Sequence, residues 1–139
     1  MANFDGYPAL AVAKGVSTTV GDTFIATPNG AKGMLIEKVT FTNPSTSLAS
    51  STTTAGLYTA TAAGGTAIVT SATGNLTPLT SAAVYKDGTV AATTAVITPS
   101  VQTTANQSYT GQAGLFINVG GTNNVAGTFD VYIYGRVLT

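Results

Sequence analysis

The pattern of apolar and polar positions is clearest in the last third of the chain. Phe129, Val131 and Ile133 fall on one side of an extended segment, with Asp130, Tyr132 and Tyr134 on the other. That period of two predicts a long final strand from Phe129 to Leu138, in which Gly135 marks a bulge or bend before Arg136. Leu115-Phe116-Ile117-Asn118-Val119 predicts the strand before it, and Gly120 to Asn124 the loop between them.

Upstream, Met34 to Thr42 predicts another strand. Leu35, Val39 and Phe41 share one face, and Met34, Ile36, Lys38 and Thr40 the other. Val16 to Thr27 alternates weakly and gives one or two short strands. Thr27-Pro28-Asn29-Gly30 is a turn, because Pro fixes φ and Asn-Gly accepts positive φ. Gly56 to Thr59 opens a strand, Ala63-Gly64-Gly65-Thr66 reads as a turn, and Ala67 to Thr70 follows. Leu76 to Leu79 reads as an edge or connecting segment, since Pro78 cannot donate to a ladder. Val84 to Val90 reads as a hairpin around Asp87-Gly88. Ser45 to Thr54 is a polar loop with nothing large to bury. No window holds an apolar stripe of helical period.

Seven or eight strands, with turn signals about every 8–12 residues, predict an all-β fold, an antiparallel β-sandwich or a barrel. Residues 16–139 are expected to form this single domain. Residues 1–15 are apolar without period and read as an N-terminal arm or first strand. An apolar arm calls for a cover, which a neighbouring subunit would supply.

Composition sharpens the functional picture. There is no His and no Cys, so the commonest general base, metal ligand and thiol nucleophile are missing. The carboxylates Asp5, Asp22, Glu37, Asp87 and Asp130 read better as turn residues or strand-face partners than as a catalytic pair. No Gly-x-Ser-x-Gly elbow, phosphate loop or calcium loop occurs. The expectation is a non-enzyme with no cofactor and no metal. Asn75-Leu76-Thr77 and Asn106-Gln107-Ser108 match the glycosylation sequon by chance, since the start of the chain has no secretion-signal pattern.

Charged residues make up only 7% of the chain and sum to zero. Few cations argue against nucleic acid, and no apolar run approaches the ~20 residues of a spanning helix. No charge lies between Lys38 and Lys86 or between Asp87 and Asp130. Free monomers guard their surfaces with charge, whereas interface cores lack it. Contact with other protein is therefore expected, through Phe4, Tyr7, Leu10 and Val12 of the opening segment and through Tyr132, Tyr134 and Arg136 of the last strand.

The ending Phe129 to Leu138, preceded by Leu115 to Val119, resembles the C-terminus of small virion proteins of tailed phages. Leu57 to Ile68 and Leu79 to Tyr85 add to the likeness, which runs from Lys32 onward. The family is that of the cement, or decoration, proteins of HK97-type capsids. It implies a jelly-roll sandwich on the outside of the shell, made in the host cytoplasm, with the major capsid protein and further copies of itself as partners in a dimer or trimer. It has no catalytic signature to carry over. The rival expectation is a receptor- or glycan-binding module of a phage tail or fibre.

Overall fold

A computed structural model describes residues 3–4, 7–28, 33–91 and 95–138, with only the backbone path for 3–4 and 7–8. Among these residues there is no helix. The strands are β1 (Asn3–Phe4), β2 (Tyr7–Pro8), β3 (Ala11–Ser17), β4 (Gly21–Ala26), β5 (Gly33–Thr42), β6 (Thr54–Ala60), β7 (Gly64–Val69), β8 (Tyr85–Gly88), β9 (Val96–Ile97), β10 (Ser100–Val101), β11 (Ala113–Gly120) and β12 (Thr128–Leu138).

The β-rich composition of Thr and Val, with Gly and Asn at the breaks, resolves into two antiparallel sheets. Sheet I runs β3-β12-β5-β8, with β9 added to β5 beyond the end of β8. Sheet II runs β4-β11-β6-β7, with β10 added to β11 beyond the end of β6. The longer strands pair first with last: β3 with β12, β4 with β11, β5 with β8 and β6 with β7. The chain is thus a long double ribbon whose successive turns alternate between sheets. That is the connectivity of a jelly roll, and the expected fold class holds.

The inner faces enclose one core. Phe129, Val131 and Ile133 of β12 meet Leu115, Ile117 and Val119 of β11 in it, all at most 1% exposed. Each such side chain contributes about 1.5–3 kcal/mol through burial. The two faces of β12 are those expected from its period.

Strand β5 departs from expectation. Met34 and Ile36 face the core, but so do Val39 and Phe41. Tyr134 pairs with Lys38 and Gly135 with Ile36, so Glu37 is an extra residue that resets the alternation. Gly135 allows the close approach this bulge requires, since a Cβ there would lie 1.9 Å from the Leu35 carbonyl oxygen. A second bulge in β3 sits at Gly15, whose φ of +68° suits glycine.

Two further expectations are corrected. Asp87 and Gly88 are not a hairpin turn but the end of β8, held in register with Thr40 and Val39, and Val90 crosses to bridge Val69 of Sheet II. The Ser45 to Thr54 segment does bury a large side chain. Leu48 is 0% exposed and its amide donates to the Leu79 carbonyl, which ties the loop to the Leu76–Leu79 connection.

At the start of the chain, β1 and β2 pair with each other. The Leu10 amide donates to Ile133 O and Leu10 packs at the rim of the core, leading into β3. The boundary drawn at residue 15 falls inside β3. The expected turn at residues 27–30 lies partly outside the described residues.

Candidate interaction surfaces

Both central strands bury side chains on both faces, so each sheet has an outer surface with packing of its own. On Sheet I the outer residues of β12 are Asp130, Tyr132, Tyr134 and Arg136. The Tyr132 and Tyr134 rings stack at 6.5 Å between centroids and 16° between planes, and both residues are less than 10% exposed. Lys14 Nζ lies 5.9 Å from the Tyr132 centroid, a cation–π distance. Val12 is the register partner of Tyr132 and is 36% exposed.

Charge on this face is balanced across strands. Thr40 donates to Asp87 Oδ1 at 2.7 Å, and Lys38 lies 3.8 Å from Asp87 Oδ2. Arg136 meets the bulge residue Glu37 at 3.6 Å, fulfilling the expected cross-strand pair. Asp130 is buried and accepts from the Gly15 amide at 2.9 Å and from Asn43 Nδ2 at 3.0 Å. It therefore clamps the β3 bulge to the positive-φ turn at Asn43.

The structure thus brings Val12, Tyr132 and Tyr134 together, with Arg136 farther along the same face. Leu10 turns to the core rim instead. The side chains of Phe4 and Tyr7 lie outside the described residues.

Sheet II differs. Phe24, Phe116 and Tyr58 form a row across β4, β11 and β6, as their register requires. Phe24 and Phe116 meet edge to face at 5.5 Å. Tyr58 accepts the Ser71 amide proton at 3.1 Å. The rings lie down over Gly114 and Gly56, where a Cβ would come within 2.3 Å of Phe24 and 2.6 Å of Tyr58. The segment between β9 and β11 then folds over the row. Its Gln102 amide donates to Gln112 O, the Gly111 amide donates to Gln102 O, and Tyr109 stacks on Phe24 at 4.6 Å and 17°. Sequence reading did not single out Phe24 or Tyr109. The usable signal was one aromatic within an uncharged Thr/Gln/Asn stretch.

Between this segment and the β6–β7 turn lies a cleft of about 290 Å³, lined by Thr59, Thr61, Gln102, Thr103, Tyr109 and Phe116, among others. A shallower depression of about 340 Å³ lies at the end of the sandwich by Val20 and Thr122. The Asn124 Nδ2 there donates to the Thr18 and Gly120 carbonyls.

Among the described residues no three of His, Cys, Asp and Glu gather as a metal site. Each described carboxylate has a structural partner. For Asp22, these are Asn118 Nδ2 and the Ala62 amide, each at 2.9 Å. No family model, curated protein or solved structure matches the chain.

Proposed function

We propose that the protein is a structural virion component that binds the outside of a tailed-phage capsid and stabilises it by bridging major capsid protein subunits. The observation that carries this reading is the distribution of charge. Among the described residues Lys14, Glu37, Lys38, Lys86, Asp87, Asp130 and Arg136 all belong to Sheet I, and Asp22 alone to Sheet II. An outer face and its covering segment with so little charge suit contact with other protein. On Sheet I the exposed Arg136 is of a type favoured at binding hot spots, whereas Tyr132 and Tyr134 are buried and brace the face from beneath.

The mechanism is mechanical. Pressure inside a filled shell strains the joints between capsid subunits. A dimer or trimer that grips two neighbours adds binding free energy only when both are in place, and many copies on one lattice act by avidity. Zero net charge favours such close association over mutual repulsion. The resemblance of residues 115–119 and 129–138 to cement proteins supports the same reading.

The test is sedimentation of the purified chain alone and with expanded shells assembled from an HK97-type major capsid protein of the same phage. The expected result is a closed homo-oligomer that pellets with shells to a saturating ratio and raises their resistance to heat. A strict monomer left in the supernatant would overturn the proposal.

A further inference from the structure

We propose that the cleft on Sheet II binds one neutral pyranose ring, the terminal unit of a glycan. This reading does not depend on a capsid partner.

The lining excludes most other chemistries. No ionic side chain borders the cleft. A charged ligand would lose its hydration with no counter-charge to replace it. A purely apolar ligand would strand the hydroxyls of the rim. The apolar wall is the half-buried ring of Tyr109, held edge to face at 5.8 Å against Phe116, which is itself 2% exposed and lies beneath it. The rim carries Thr61, Gln102 and Thr103. The side-chain hydroxyls of Thr61, Thr103 and Tyr109 have no hydrogen-bond partner among the described residues. Such hydroxyls both donate and accept.

A pyranose presents matching features: a C–H face for the Tyr109 ring and an equatorial belt of hydroxyls for the rim. The volume of about 290 Å³ falls just below the usual range of small-molecule sites, which suits one ring rather than a buried chain. The rim is also preorganised. Gln102 is fixed by its backbone bonds to Gly111 and Gln112, its Nε2 donates to Ser100 O, and Thr110 Oγ1 donates to Thr104 O. Binding therefore orders little that is not already ordered.

The experiment is an amide-shift titration of the full chain with methyl glycosides of glucose, galactose, mannose, rhamnose and N-acetylglucosamine. Methyl glucuronide serves as the charged control and a neutral Ala-Thr-Gly peptide as the rival ligand. At least one neutral glycoside is expected to shift Gln102, Thr103 and Phe116 with a Kd on the order of 1 mM. The glucuronide should bind more weakly. Tyr109→Ala should weaken binding about tenfold or more. If that variant loosens its segment, Thr61→Val and Gln102→Leu supply the second reading, each lowering affinity with the far-UV spectrum and melting curve unchanged. No shift from any glycoside at about ten times that Kd would overturn the inference. So would saturable binding of the peptide alone, or shifts confined to other surfaces. Shell binding is scored separately, so failure of either proposal leaves the other readable.

Discussion

The two sheets share one inner chemistry and differ on their outsides. The outer face of Sheet I is closed by cross-strand pairs. Tyr132 stacks on Tyr134, Lys14 caps Tyr132, and Asp130 and Asp87 take hydrogen bonds from neighbouring strands. The outer face of Sheet II is closed by a piece of chain. Phe24 and Phe116 are covered by Tyr109, delivered by the segment between β9 and β11. A cross-strand pair is local, and losing one leaves the rest. A covering segment is held by its aromatic contact together with a few backbone bonds, so removing a single ring exposes both the segment and the row beneath.

Substitutions at four positions would break or sharpen that contrast. Phe116→Ala should have the largest effect. It removes the ring that both Phe24 and Tyr109 touch and should cost about 3–5 kcal/mol in chemical denaturation. Hydrogen exchange at the amides of Gln102, Gly111 and Gln112 should rise more than that of β12. Equal exchange in both places would mean that the segment does not depend on the row.

On Sheet I, Asp130→Ala should cost about 2–3 kcal/mol, because the Gly15 amide and Asn43 side chain lose a buried charged acceptor. Asp130→Asn should recover part of that cost. A loss no larger than at an exposed site would deny the clamp. Asp22→Ala is the corresponding test on Sheet II. Its two hydrogen bonds are exposed, so water replaces them and the unfolding free energy should fall by only about 0.5–1 kcal/mol. Arg136→Ala should be smallest. The pair with Glu37 is solvent-exposed, with side chains 69% and 52% accessible, and the change should stay within about 0.5 kcal/mol. A clear drop in shell co-sedimentation at unchanged stability would assign Arg136 to the interface.

The legible part of the fold was that carried by local alternation. β12 has a period of two, and its inner and outer faces follow from it, while β11 is legible as a strand but its apolar run Leu115-Phe116-Ile117 does not say which face Phe116 takes. β5 shows the limit. Its residues predict a strand, but which of them point inward depends on Gly135 in another strand, about a hundred positions later. Asp87-Gly88 has the local signature of a tight turn and is instead drawn out by pairing with β5, where Thr40 rewards Asp87 with a hydrogen bond. Leu48 is a lone apolar residue in a Ser/Thr stretch. Periodicity cannot detect a single anchor. The stacked Tyr132 and Tyr134 were visible as a pair, whereas the Sheet II row joins residues from three distant strands and a loop.

By itself, then, the amino-acid order determined an all-β chain with a double-layered core, the two faces of its last strand, and a scarcity of charge and of catalytic groups. Those are properties of neighbours in sequence, or of composition. The tertiary structure decided the bulges, the gathering of nearly all described charge onto one sheet, and the covered aromatic row with its adjoining cleft on the other. Each of these arises from contacts between strands far apart in the chain, whose register is set by packing rather than by any local preference.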